Sequence, residues 1–121
     1  MNTQIKEKNG VKIAAVNSGE PFISDAQSAL DWMMSVQYET GCRRMTVNKE
    51  AIDEKFFILS TGLAGDILQK FINYHVKFAV YGDFSKYTSK PLKDFIYESN
   101  RGKDIFFVTT EEKALEKLSK V

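Results

Sequence analysis

The chain has 121 residues, which favours one domain with one ordinary hydrophobic core. Hydrophobic residues make up 43% and charged residues 27%, a composition typical of a globular protein rather than a disordered one. The 17 basic and 16 acidic side chains nearly cancel, which gives no electrostatic reason to expect nucleic acid or an anionic membrane as a partner.

The chain contains one cysteine, Cys42. A single cysteine cannot form an internal disulfide or by itself build a metal cluster, so we expect neither a metal nor a cofactor. The opening residues MNTQIKEKNG lack the apolar core of a signal peptide, and no apolar run approaches membrane-spanning length. These features predict a cytoplasmic protein.

The first predicted element is a β-hairpin. The segments QIKEK and VKIAAV flank Asn9-Gly10, and both turn residues tolerate positive φ. Apolar residues at mostly helical spacing then run from Ala26 to Val36, with Ser24 or Asp25 as the N-cap and Gly41 as the stop.

Strands and helices alternate through the rest of the chain. RRMTVN is a predicted strand, whereas KEAIDEKFFIL fits either a buried connection or a short helical turn. A helix follows over LAGDILQKFI, then the strand VKFAVYGDF, a helix capped by Ser89, the strand DIFFVTT and a final helix with Thr109 as cap. The order β-β-α-β-α-β-α-β-α predicts one α/β domain over residues 1–121, with a mixed five-stranded sheet covered by helices.

Several polar segments follow the predicted strand ends. Ligands and catalytic groups gather at the carboxyl ends of parallel strands in open α/β sheets. Asn48, Ser60-Thr61 and the Gly82–Ser89 loop should therefore lie on one edge, the rim of the sheet. The loop contributes polar side chains at these positions: Asp83, Ser85, Lys86, Tyr87, Thr88 and Ser89. A solvated loop with an Asp turn is the alternative interpretation.

Ser60-Thr61-Gly62 opens the second predicted helix. Helix N-termini favour a hydroxyl cap, which accounts for Ser60 and Thr61, and they also favour a phosphate. Gly62 and Gly65 need a further reason, such as close approach of a backbone or a partner, because glycine costs about 1 kcal/mol inside a helix.

Three stretches resemble a bacterial family catalogued as domain of unknown function 4180. They are TGLAGDILQKFINYHVK, YGDFSKYTSKPLKDFIYESNRGK and FFVTTEEKALEKL, and the run Gly82–Ser89 is the most specific part. The likeness covers most of the chain. It implies no activity, because that family has none to carry over.

The element order also resembles the STAS domain of anti-sigma factor antagonists. Those proteins carry an Asp-Ser-Ser-Gly-Leu-Gly motif at a helix start, where a kinase phosphorylates a serine to switch partner binding. Ser60-Thr61-Gly62-Leu63-Ala64-Gly65 falls at the same place here, with Thr61 matching the phosphorylated serine and Leu59 standing in place of Asp.

Two functions remain open from the sequence. One is a cytoplasmic regulatory or protein-interaction module of STAS-like type, which binds a regulatory protein through the rim and is compatible with a homodimer. This hypothesis rests on the STAS-like order and the lack of a recognised catalytic motif. The other is a ligand-binding domain or enzyme that uses Asp83, Lys86 and Tyr87. A rim pocket with perturbed pKa values would favour the second function, and a flat or convex rim the first.

Overall fold

The computed structural model describes residues 2–121 and contains a mixed five-stranded sheet with four α-helices, which confirms the predicted fold class. The strands are β1 (Gln4–Lys8), β2 (Val11–Val16), β3 (Arg44–Asn48), β4 (Lys77–Tyr81) and β5 (Ile105–Val108). The helices are α1 (Ala26–Thr40), α2 (Leu63–Asn73), α3 (Lys90–Arg101) and α4 (Glu111–Ser119).

The strands lie side by side in chain order. β1 pairs with β2 in the antiparallel sense, and every later pair is parallel. Asn9 and Gly10 adopt φ of +52° and +79° and form the predicted hairpin turn. Because the four parallel strands run the same way, their carboxyl ends all meet at one edge, the rim.

Helices cover both faces of the sheet, but unequally. One face packs against α1, α2 and α3 in the larger core, with Met33 and Phe71 fully buried there. The other face, with Ile13 and Phe106, packs against α4 alone. This arrangement follows from the alternation of inward and outward side chains along each strand.

Local capping signals mostly match the structure. Asp25 caps α1 in a reciprocal pair with Ser28, and Ser89 caps α3. The prediction for α4 is wrong by one residue, because Thr110 rather than Thr109 accepts the hydrogen bond from the Lys113 N–H. Both threonines directly precede the first turn of α4, so the sequence pattern does not distinguish which of them is the N-cap residue.

The ambiguous segment between β3 and α2 consists of three short 3₁₀ turns, over Lys49–Ala51, Glu54–Phe57 and Leu59–Thr61. Phe56 and Phe57 are buried, so this connection contributes to the core as well as to the rim. The segment is therefore a buried connection and is also built of short helical turns, in the tighter 3₁₀ form, so each of the two predictions describes part of it.

Candidate functional site

The Glu54–Phe57 turn brings the predicted rim segments together. The Tyr87 hydroxyl donates a hydrogen bond of 2.7 Å to Glu54 Oε1, which ties the Gly82–Ser89 loop to this turn. The Thr61 hydroxyl contacts the same turn through the carbonyl oxygen of Lys55, at 3.1 Å. The loop and the Ser60-Thr61 segment therefore share one rim, with the turn between them.

Lys49 lies at the centre of the rim and was not among the residues predicted from the sequence. It follows β3 directly, and only 7% of its surface is exposed. Its Nζ lies 5.4 Å from the ring centre of Tyr87, 5.9 Å from that of Phe57 and 4.0 Å from Glu54 Oε2. Aromatic faces and one carboxylate thus compensate the buried ammonium group.

Glu54 is the acceptor that joins the cluster. It accepts hydrogen bonds from Tyr87 and from the Lys86 ammonium group, the latter at 2.9 Å. Partial burial by itself would raise the pKa of the Glu54 carboxyl group. The hydrogen bonds from Tyr87 and Lys86 and the charge of Lys49 outweigh that effect and hold the pKa below its ordinary value.

The pKa values of the hydrogen-bond partners of Glu54 are also shifted away from neutral pH. Burial, and then the hydrogen bond to Glu54, raise the pKa of the Tyr87 hydroxyl well above its ordinary value. The hydrogen bond to Glu54 also raises the pKa of Lys86. At neutral pH the cluster therefore holds an ionised carboxylate, a neutral phenol and an ammonium group, none of which titrates near pH 7.

Aromatic packing fills the space beneath these charges. The rings of Tyr87 and Phe57 are stacked at 5.0 Å, and Phe84 packs 5.9 Å from Phe57. Clefts of about 470, 210 and 430 Å³ are present elsewhere in residues 2–121, and the predicted site residues line none of the three. At this cluster the rings pack against one another beside the ion pair of Glu54 and Lys86.

Asn48 is nearly buried and holds the loop after β2 against the rim. Its Oδ1 accepts from the Ser18 N–H at 2.8 Å, and its Nδ2 donates to the Ser18 carbonyl oxygen at 2.6 Å. Nδ2 also lies 3.2 Å from Glu50 Oε1. These contacts use most of the hydrogen-bonding capacity of the amide, so Asn48 positions backbone at this edge.

Asp83, Ser85 and Thr88 are exposed on the outer part of the loop. Asp83 Oδ1 accepts from the Ser85 N–H at 2.9 Å, the Asp turn considered as the alternative interpretation. Hydrogen bonds from Ser85 lower the pKa of the Asp83 carboxyl group. These residues shape the loop, whereas Lys86 and Tyr87 attach it to the Glu54–Phe57 turn.

The capping prediction for Ser60 and Thr61 needs correction. The residue at the N-cap of α2 is Gly62, in the left-handed conformation with φ of +76° and with no side-chain cap. Thr61 is exposed; its hydroxyl donates to the Ile58 carbonyl oxygen at 2.8 Å and accepts from the Leu63 N–H at 3.2 Å. Ser60 is exposed in the preceding 3₁₀ turn.

The expected close approach at the two glycines is also absent within residues 2–121. A side chain at Gly62 or at Gly65 would meet nothing within 4 Å. The left-handed backbone explains Gly62, since other residues adopt that conformation at a cost. Gly65 has no such explanation, and it leaves an open, exposed position in the first turn of α2.

Sequence reasoning missed Lys49, Glu54 and Phe57. The available signal was the position of Lys49, directly after Asn48 at the end of a predicted strand. No local pattern indicated that its side chain would be buried, because the covering rings come from residues 57 and 87. Phe57 lies in the segment KEAIDEKFFIL, for which a buried connection was one of the two predictions, and it is buried.

These features define an α/β protein whose rim carries a packed cluster of a lysine, a glutamate and a tyrosine. The model of the family described as domain of unknown function (DUF4180) matches residues 8–118. The chain belongs to this family. No curated protein and no solved structure matched it.

Two further properties concern ligands and membranes. Within residues 2–121 no group of three or more His, Cys, Asp or Glu side chains is arranged to hold a metal ion. None of the helices in that range combines the length and the apolar character that crossing a membrane requires.

The lowered pKa of Glu54 predicts a pH dependence of stability. A carboxyl group whose pKa is lower in the folded state stabilises the protein above its unfolded pKa, and this contribution is lost as the pH falls through the folded pKa. The wild type should therefore lose more free energy of unfolding than Glu54→Gln as the pH falls below about 4.5.

Urea denaturation at a series of pH values measures this difference. Asp25 and Asp83 also have lowered pKa values and remain in both proteins, so subtracting the two curves isolates Glu54. Parallel curves for the wild type and Glu54→Gln would contradict the prediction.

Proposed function

We propose that this protein is a regulatory protein-interaction module that binds a partner protein through the rim. The observation that carries the proposal is the packing of the rim: aromatic rings stack beside the ion pair of Glu54 and Lys86, and exposed small and polar side chains lie in the adjoining Leu59–Thr61 turn. A small-molecule site is usually a cleft with a few convergent polar groups, and the three clefts described above are lined by none of the predicted site residues.

The binding surface that we propose comprises Ile58, Ser60, Thr61, Gly62 and Gly65. Ile58 is apolar yet 53% exposed, beside polar and small neighbours. Gly65 costs about 1 kcal/mol in a helix, and no group of residues 2–121 within 4 Å uses the space it leaves. A partner backbone approaching the first turn of α2 would use that space, and Ile58 would then be its apolar contact.

The STAS-like element order supports a regulatory role on the same surface. The Ser60–Gly65 segment stands at the start of α2, where the anti-sigma factor antagonists carry their switch motif. Thr61 is exposed, but its hydroxyl group already donates a hydrogen bond to the Ile58 carbonyl oxygen and accepts one from the Leu63 N–H. We therefore propose partner binding at this turn without requiring phosphorylation of Thr61.

The catalytic alternative has less support. Asp83, Lys86 and Tyr87 do show shifted pKa values, as that alternative expects, but each shift moves the pKa further from neutral pH. Efficient proton transfer favours groups that titrate near the working pH. These shifts fit contacts that hold the loop in place and do not fit groups that exchange protons with a substrate at neutral pH.

In-cell photocrosslinking tests the proposal. A photoreactive amino acid at Ser60 should give one discrete crosslinked protein, whereas the same probe at Tyr38 should not. Tyr38 is 94% exposed on α1 and serves as the control for accessibility. In the Ser60 probe background, Ile58→Asp should abolish the crosslink, because it places a charge in the apolar contact.

A second variant separates binding from folding. Gly65→Leu should reduce the same crosslink by filling the open position, while leaving the thermal midpoint of unfolding at or above that of the wild type. Equal crosslinking from Ser60 and Tyr38, or a crosslink that survives both variants, would contradict binding at this surface.

A further inference from the structure

The two edge strands of the sheet, β5 and β1, differ in whether another group covers their outward-facing backbone. At the β5 edge, Asn100 Nδ2 donates to the Phe107 carbonyl oxygen at 3.0 Å and Oδ1 accepts from the Phe107 N–H at 2.7 Å. The amide thus stands where another strand would lie. At the β1 edge, no strand within residues 2–121 occupies the outer side. An open strand edge is a template for pairing with another chain.

The hairpin geometry identifies the backbone groups that face outward from β1. A two-residue turn at Asn9-Gly10 makes Lys8 and Val11 the hydrogen-bonded pair next to the turn. Alternation then directs the N–H and C=O groups of Ile5 and Glu7 away from β2. Both residues are exposed.

The charges on β1 do not protect this edge. Lysines on an edge strand usually oppose pairing with another chain. Here Lys6 forms an ion pair with Glu111, and Lys8 with Glu112, both in α4 on one face of the sheet. Ile5 precedes these two ion-paired lysines in β1, and it is 52% exposed.

We propose that β1 pairs in the antiparallel sense with β1 of a second copy of this chain, with Ile5 opposite its own copy. This register makes an apolar pair at the two-fold axis and sets Gln4 opposite Lys6 and Thr3 opposite Glu7. The two neighbouring registers that use the same outward groups would set Lys6 opposite Lys6 or Glu7 opposite Glu7. Like charges directly opposite each other are destabilising, so the Ile5 register is preferred.

The paired strands would form one continuous ten-stranded sheet across the two copies. This inference goes beyond the proposed function and is independent of it. It uses the lateral edge of the sheet, whereas the partner surface lies around the Leu59–Thr61 turn on the rim.

Sedimentation velocity over a range of protein concentrations tests the association. The wild type should show a concentration-dependent monomer–dimer equilibrium. Ile5→Lys replaces the apolar pair by two like charges and should raise the dissociation constant at least about tenfold. Ile72→Lys is the matched control, because Ile72 is 43% exposed on α2 and the variant should associate like the wild type.

Disulfide trapping tests the register. Opposed residues of a hydrogen-bonded antiparallel pair have Cα atoms about 5.5 Å apart, within the range that a disulfide spans. Ile5→Cys should therefore crosslink two copies on mild oxidation, and faster than Lys6→Cys or Glu7→Cys. Cys42 is buried and should leave the wild type uncrosslinked.

Three results would overturn the proposal. They are a wild type that is monomeric at every concentration, a dimer that Ile5→Lys leaves intact, and faster crosslinking of Lys6→Cys than of Ile5→Cys. If Ile5→Lys does not fold, as judged by circular dichroism, the relative crosslinking rates of the cysteine variants decide the question.

Discussion

Gly82→Ala should lower the free energy of unfolding by about 1–3 kcal/mol, the range typical of overpacking. A Cβ atom at position 82 would lie 2.8 Å from Lys49 Cβ, closer than side-chain atoms approach one another. Gly82 also has φ of +157°, a conformation that other residues rarely adopt. Because Asn48 pairs with Tyr81, residues 49 and 82 directly follow paired positions on adjacent strands. The backbone of neither residue can therefore move away easily from the other.

The same change should disturb the lysine cluster. Displacing Lys49 would move its ammonium group relative to the Tyr87 and Phe57 rings. Urea denaturation measures the loss of stability, and ¹H–¹⁵N NMR spectra should place the largest shifts in residues 49–57 and 82–89.

Gly65→Ala is the matched control for this prediction. Gly65 lies within α2, and an added Cβ would meet nothing within 4 Å in the part of the chain that the structure describes. This variant should gain about 0.5–1 kcal/mol, because alanine favours the helix over glycine. A Gly82→Ala protein as stable as the wild type would show that the Lys49 contact imposes no constraint.

Asn48→Ala should cost about 1–3 kcal/mol of unfolding free energy, because it removes both partners of the Ser18 backbone. Asn48 is only 6% exposed, so water replaces its amide poorly. The loop between β2 and α1 should loosen first, which hydrogen exchange of the Ser18 amide would detect.

Asn73→Ala is the control for loss of an asparagine. Asn73 is exposed near the end of α2 and accepts one hydrogen bond, from Gln69. Its replacement should change stability by no more than about 0.5 kcal/mol. Equal losses in the two variants would contradict a specific anchoring role for Asn48.

Local patterns in the sequence determined the element order. Asn9-Gly10 favours the hairpin turn, Ser89 the start of α3 and Gly41 the end of α1, because each acts on its own backbone or within the next three residues. Where two candidates stand side by side, as with Thr109 and Thr110, the pattern cannot choose between them. The likeness around Gly82–Ser89 identified the family that the matching family model shows.

The position of the rim could be predicted from the sequence, but the contacts between its residues could not. Strand alternation alone implied that the Ser60-Thr61 segment and the Gly82–Ser89 loop would follow strand ends at one edge. It did not indicate that Thr61 would bond the Glu54–Phe57 turn, or that Gly62 would occupy the N-cap, because both depend on how the 3₁₀ turns close.

The lysine cluster was decided only by the tertiary structure. Tyr87 lies far from Lys49 and Glu54 in the sequence, and each of the three alone resembles an ordinary exposed residue. Pairing of β3 with β4 brings residue 49 beside Gly82, and the Phe57–Tyr87 stack then covers the lysine side chain. Burial of that charge results from these long-range contacts, which no local pattern of hydrophobicity or capping encodes.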